Sequence, residues 1–267
     1  MKYGAILTGL FLTVLVGSAS AADYFWVGGT GNWSDYAKHW ATSSGGTIFR
    51  NQVPGSADDV YFNGNSFSAP GQAVTVEQTV VSCHNMSWNG VTNNPEFRSA
   101  GSSIQIRLYG SLELSSAMQY KFAGGLLFEA VSGTHTITSA GRVLADITFD
   151  NPAAAWELAD ALSMNSIATL YLKQGTFRTN GYPVTTSSFR SITTGQRTLD
   201  LGSSTVTLTG IGTCWYFNAP GLTFNAGTSE IIFSNTNYQT HLSNGLSYNS
   251  VIFSGPQSQG SIYGKDN

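Results

Sequence analysis

Leu199 and Leu201 alternate with polar neighbours, a small break follows at Gly202-Ser203-Ser204, and Val206 and Leu208 then alternate with threonine. An apolar residue at every second position describes a strand with one buried face, so residues 198–210 read as strand, corner, strand. The layout recurs at 222–233, where Leu222, Phe224, Ile231 and Phe233 take the apolar positions, and again at 170–177 and 127–137. Its glycine turns fall at Gly133, Gly175, Gly202 and Gly227, spaced by 42, 27 and 25 residues, the first spacing about twice a rung of 21. A period in the twenties with repeated turn chemistry predicts an all-β chain wound as a parallel β-helix, or β-solenoid. A β-sandwich is the alternative, since its strands also recur at short intervals, but it does not ordinarily repeat its turns.

Between the copies, Val74, Val76 and Val80 are core candidates in the stretch 73–81. Ile104, Ile106 and Leu108 form an alternating run, and Leu112 with Leu114 forms another. Residues 251–253 read as a strand and 261–264 as the start of one more rung. The sequence stops there at Asn267, so further rungs or a C-terminal domain of a longer protein are expected beyond it. Residues 63–267 are thus read as rungs.

Residues 23–62 break the pattern. Trp26, Trp33 and Trp40 lie seven apart, but Gly28, Gly29 and Gly31 between the first two argue against a continuous helix. Only 34–40 suits a short helical turn, and Pro54-Gly55 through Asp58-Asp59 reads as a turn into a strand at 60–62. The first rung of a stack would expose unpaired backbone and apolar side chains, so the three tryptophans are assigned to an N-terminal cap.

Residues 1–22 read as a signal peptide. Lys2 precedes an apolar run from Ala5 to Val16, and small residues from Ser18 to Ala22 allow cleavage after Ala21 or Ala22. The run is too short to span a membrane comfortably, and no later stretch is a better candidate. The mature chain is therefore expected outside the cell. Charged residues are only 10%, the net charge is −3, and no basic run exists, which excludes nucleic acid as a partner. Hydrophobic residues at 41% supply a core, so the low charge reflects many short strands and not disorder. Cys83 and Cys214 are too far apart in sequence to sit on adjacent rungs and read as two buried free thiols.

Three stretches carry a resemblance. They are Trp26-Val-Gly-Gly-Thr-Gly-Asn-Trp33 with Trp40 and Pro54–Val60, then Cys83-His-Asn-Met-Ser-Trp88-Asn-Gly90, and then 198–206. They resemble large secreted bacterial surface proteins, adhesin-like, with right-handed parallel β-helix repeats. The resemblance implies extension and contact without chemistry, and longer members often end in a sorting or anchoring domain.

Catalysis on a β-helix would need carboxylates brought together. Asp146 and Asp150 lie four residues apart, roughly 13 Å along a strand, too far for a retaining pair. Glu157 and Asp160 fall in an Ala-rich segment that could form a helical turn. Asp58-Asp59 reads in two ways: as a Ca²⁺ site completed by carbonyls of the Gly-rich loops, or as a turn in which one carboxylate accepts backbone N–H groups. No other cofactor is indicated. His39, His84, His135 and His241 show no metal-ligand spacing. Exposed tyrosines could form a ladder that stacks on sugar rings, which leaves a glycan-binding module or a β-helix carbohydrate-active enzyme as the alternative to an adhesin, and an oligomeric fibre as a third reading. Specificity is expected in the irregular parts: the Trp-rich region before Phe62 and the loops near Asn93, Pro152 and Asn235.

Overall fold

The computed structural model describes residues 21–235, 237, 239–242, 245–254 and 260–263. The chain is a β-solenoid of about eight turns. Each turn delivers its strands in order to three ladders, and almost every pairing is parallel to the same position one turn away. Among the described residues the antiparallel pairings are Asp23–Trp26 with Trp40–Ala41 and the single bridge Ala41 to Phe49. A β-sandwich, built from antiparallel pairs, is thereby overturned.

The first ladder carries Val80–Cys83, Gln105–Leu108 and Gly125–Phe128, then the opening halves of Ile147–Leu158 and Thr169–Arg178, then Ser188–Ser191 and Gly212–Phe217. The second runs through Asp59–Tyr61, Met86–Ser87, Leu112–Glu113 and Gly133–Thr138 to Arg197–Asp200 and Leu222–Asn225. The third face is carried first by Ala73–Val76, Glu96–Ser99 and Gln119–Lys121, and later by Leu162–Met164, Val184–Thr186, Thr205–Leu208 and Glu230–Phe233.

Alternation explains the core. Ile106, Leu126, Ile147, Leu170, Phe189 and Trp215 follow one another in register up the first ladder, and all are buried. Cys83 occupies the position that Leu108 and Phe128 hold in the next two turns, which is why its thiol is buried as a small hydrophobe. Cys214 is also a buried free thiol. Six rungs separate the two, about 29 Å at the usual strand spacing, too far for a disulfide.

Leu199 and Leu201 sit at the end of a second-ladder strand, Val206 and Leu208 in a third-ladder strand, and all four are fully buried. Those two strands do not pair with each other, so 198–210 is one corner of a turn and not a hairpin. Ile231 and Phe233 are buried, whereas Leu222 and Phe224 only pack partly against the core.

The four glycines do not form one column. Gly133 and Gly175 belong to the second ladder, two turns apart. Gly202 and Gly227 lie at the next corner, stacked one on the other. The spacing of 27 therefore crosses from one column to another.

Other expectations need correction. Val80 is 43% exposed and Val81 is buried in its place, because the corner after Val76 resets the alternation. Glu157 lies inside the twelve-residue strand Ile147–Leu158 and is not helical. The alanines pair on both sides with Gly133–Thr138 and Thr169–Arg178, and that pairing overrides their helix preference. Pro152 lies inside the same strand and not in a loop. The register shifts there as the strand turns a corner, which tolerates a residue without an N–H. Gly260–Tyr263 pairs with Gln239–Leu242 as a further strand, while Gly264 lies outside the described residues, as does residues 1–20.

At the N-terminal end, Trp26, Trp33 and Trp40 are fully buried together. Trp33 and Trp40 meet edge to face at 4.8 Å, Trp26 and Trp40 at 5.0 Å. Two of the indoles are held locally: Trp26 Nε1 donates to the Gly29 carbonyl and Trp40 Nε1 to the Trp33 carbonyl, both at 2.8 Å. The one-turn helix Tyr36–His39 brings His39 flat onto Trp26, and a Cβ on Gly31 would collide with that imidazole at 2.1 Å. The glycine cluster thus makes room for a ring. Strand Trp40–Ala41 covers the outer edge of Asp23–Trp26, whose inner edge pairs with Asp59–Tyr61, so the first parallel strand is not left open.

Candidate functional site

Many carboxylates of the described residues are tied to neighbouring turns. Asp160 accepts the backbone N–H groups of Ser139 and Ala140 at 2.7 and 2.5 Å. Asp146 accepts Thr169 N–H at 2.7 Å, Glu157 takes Arg178 at 2.7 Å, and Glu113 accepts the Ser87 hydroxyl at 2.7 Å. Glu96 is held by Lys121 and Arg98, and Asp150 by Lys173 at 3.4 Å. Most of these bonds link residues 20 to 26 apart in sequence, one turn of the solenoid.

Asp58 and Asp59 divide their work. Asp58 is 7% exposed; its Oδ1 accepts Ala22 N–H at 3.0 Å and its Oδ2 accepts Gly55 N–H at 2.9 Å. Asp59 Oδ1 faces His84 Nδ1 at 2.9 Å and accepts the Asn85 backbone and amide N–H groups at 2.9 and 2.8 Å. Most of the groups bonded to these two carboxylates are N–H donors, which suits anionic oxygens fixing a turn. Among the described residues no three His, Cys, Asp or Glu side chains gather as a metal site.

Beside Asp59 the corner between the first and second ladders is hollowed. A cleft of about 450 Å³ is lined by Ala21, Ser56, Ala57, His84, Tyr109, Val131, Ser132 and His135. The repeat builds it. His84 follows the strand Val80–Cys83, Tyr109 follows Gln105–Leu108, and Val131 and Ser132 follow Gly125–Phe128, so three successive corners supply its wall. His84 and His135 meet edge to face, ring centroids 6.2 Å apart. His135 Nε2 lies 2.9 Å from the Ser132 carbonyl and donates to it. The Tyr109 hydroxyl donates to Glu129 at 3.2 Å, and Arg107 stands 3.5 Å from the same carboxylate oxygen. Aromatic edges and an exposed valine thus face the cleft, with carboxylates fixing them from behind.

In the sequence the four histidines are isolated. His84 and His135 lie 51 residues apart, two turns of this solenoid, and Tyr109 stands between them; reading the corners at the repeat period would have found the set. The tyrosines do not form one ladder. Tyr120 packs partly buried against the core, Trp215 donates to the Tyr248 hydroxyl at 2.9 Å, and Tyr36 and Tyr182 are exposed at separate places. Register does put Tyr171, Arg190 and Tyr216 in one outward column on the first ladder. Tyr238 and the side chains of His241 and Tyr263 lie outside the described residues.

Near the later expected loops, Asn93 adopts a left-handed backbone and its amide donates to the Phe67 carbonyl at 2.7 Å, while the Asn235 amide donates to Thr209 at 2.7 Å. Both tie turn to turn. Arg197, which sequence reasoning passed over, is 3% exposed. Its guanidinium donates to the carbonyls of Gly195, Pro220, Ser191 and Asn218 and to the Ser191 hydroxyl, filling one corner. Among the described residues no helix is long and apolar enough to cross a membrane.

No family model, no curated protein and no solved structure matches this chain.

Proposed function

We propose that the protein is exported and serves as an adhesin-like surface scaffold that contacts glycans without cleaving them, with the corner cleft as its binding place. One observation carries this reading: the carboxylates around the cleft are engaged by groups of the neighbouring turns, while His84, Tyr109, His135 and Val131 face the cleft itself. Apolar and aromatic walls with a few convergent polar groups are what a sugar ring needs, its C–H face against rings and its hydroxyls against serine and imidazole. The leader-like residues 1–22 support export.

Retention on a panel of insoluble polysaccharides tests it. The expected result is retention of the wild-type protein, at least tenfold loss in Tyr109→Ala and His135→Ala, and no loss in Tyr171→Ala or Tyr216→Ala. Equal retention of all four variants would move binding elsewhere, and no retention of the wild type on any glycan would end the glycan reading.

A second reading is favoured by the pair Asp59 and His84. A carboxylate 2.9 Å from Nδ1 orients an imidazole, as an acid–base residue requires. It would make the cleft a β-helix carbohydrate-active site with His84 as its proton carrier.

A further inference from the structure

The sequence allows cleavage of the leader at two places. Cutting after Ala21 leaves Ala19 and Ala21 at the −3 and −1 positions; cutting after Ala22 leaves Ser20 and Ala22 there. All four are small, and the pattern does not choose between them. The contacts of Ala22 do. Its N–H donates to Asp58 Oδ1 at 3.0 Å, and its carbonyl accepts Asp59 N–H at 3.0 Å. It also packs partly against the hydrophobic core. Ala21, by contrast, is exposed and forms part of the wall of the cleft.

We infer that the export peptidase hydrolyses the Ala21–Ala22 bond, and that the new amino terminus of Ala22 becomes an ion pair with Asp58. In the step, the C–N bond breaks and water adds its hydroxyl to the Ala21 carbonyl. Both of its protons end on the freed nitrogen, leaving a carboxylate on Ala21 and an ammonium on Ala22. Before the cut, Asp58 receives one amide N–H from this residue. After it, the same nitrogen is cationic and presents three donors to a carboxylate that is almost wholly buried.

Asp58 is well placed to hold that charge. Its second oxygen is fixed by Gly55 N–H, its own N–H donates to the Gly55 carbonyl at 3.0 Å, and its carbonyl accepts His84 N–H at 2.7 Å. The terminus would therefore be locked onto the same corner that carries His84, at the edge of the first parallel strand. Cutting one residue later would delete both Ala22 hydrogen bonds and leave Asp58 Oδ1 without this donor. Cleavage after Ala21 also removes that residue from the rim of the cleft.

This inference rests on the export reading and is independent of the glycan reading. The test begins with the full-length chain expressed in a bacterium that exports through the general secretory route. The exported protein is then weighed intact and its N-terminus sequenced. The expected chain begins at Ala22. An exported chain beginning at Asp23 or elsewhere overturns the cleavage site alone; a chain left uncut and inside the cell overturns the export reading with it. The ion pair has its own readout. Chains beginning at Ala22 and at Ala21 are compared in wild type and in Asp58→Asn. The Ala22 form should melt about 2–4 °C higher in the wild type, and the difference should vanish in Asp58→Asn. Equal melting of the two wild-type forms, or a difference that survives Asp58→Asn, overturns the pairing.

Discussion

Phe62 lies flat on Trp88, ring centroids 3.9 Å apart and planes 10° apart. On its other side Phe62 meets Trp40 at 5.6 Å, Trp26 at 6.0 Å and Trp33 at 6.3 Å. One phenyl ring thus joins the tryptophan cluster to the turn of the solenoid that follows it. All five rings are fully buried, so removing the middle one leaves a cavity between two packed groups. Phe62→Ala should cost about 3–5 kcal/mol. Because turns of a solenoid touch only their neighbours, the loss should be local. Hydrogen exchange should show the amides of the first turns losing protection while those from Ser188–Ser191 onward keep it; uniform loss along the stack would contradict the coupling.

Gly227 cannot carry a side chain without moving the turn before it. A Cβ there would stand 2.2 Å from the Gly202 carbonyl oxygen, and the residue has a left-handed φ of +55°. Gly227→Ala is expected to lose more than about 2 kcal/mol, from strain and from collision with backbone. Gly90 is also left-handed, at +71°, but nothing lies within 4 Å of its added Cβ, so Gly90→Ala should cost only about 1 kcal/mol. Urea midpoints of the two variants would separate packing from conformation; equal losses would mean the stacked corner is not close-packed.

Arg197 tests whether buried charge can serve a corner. Burial pulls its pKa below the ordinary range, yet its donors are spent on five acceptors, four of them carbonyls. Arg197→Met removes the charge and withdraws the guanidinium donors from those carbonyls, at about 1–3 kcal/mol for each that finds no other partner. Arg197→Lys keeps the charge but cannot span the fork. Both variants should lower the melting temperature, Met more than Lys; an unchanged Tm in Arg197→Met would show that the guanidinium is dispensable.

Alkaline pH should loosen the stack. Tyr61 is pushed up to about 12, first by burial and then by the neighbouring charges of Asp59 and Asp23. Tyr24, Tyr120 and Tyr248 are also raised, each mainly by burial. An unfolded phenol titrates near pH 10, so between about 10 and 12 the unfolded chain has lost protons that the folded chain still holds. The contribution is whole below about pH 10 and is lost as pH rises through the folded value. The urea midpoint should be level from about pH 7 to 9 and fall from about 10 to 12, with a shallower fall in Tyr61→Phe. A midpoint steady to pH 12 would contradict the burial of these hydroxyls.

The stack was legible because its signal is local. Leu199, Leu201, Val206 and Leu208 alternate in the chain as they do in space, and a repeat period needs only one sequence. Phase was less legible. Val80 yields to Val81, and Gly175 and Gly202 sit in different columns, because each corner resets the alternation by a loop whose length varies from turn to turn. The cleft was hidden for the same reason. His84, Tyr109 and His135 become neighbours only when three corners are superposed, and their offsets follow the loops and not a fixed number. Glu157 and Asp160 misled in another way: an alanine-rich segment carries a helical preference, and only pairing on both sides makes it a strand.

The central claim is that the carboxylates of this chain hold turns together while the corner cleft binds without cutting. The most direct measurement is release of new reducing ends from whichever polysaccharide retains the protein, followed over a long incubation beside Asp59→Asn and His84→Ala. The account predicts no release above the blank for any of the three. Steady release by the wild type that disappears in Asp59→Asn or His84→Ala would contradict it and make His84 the working residue of an enzyme.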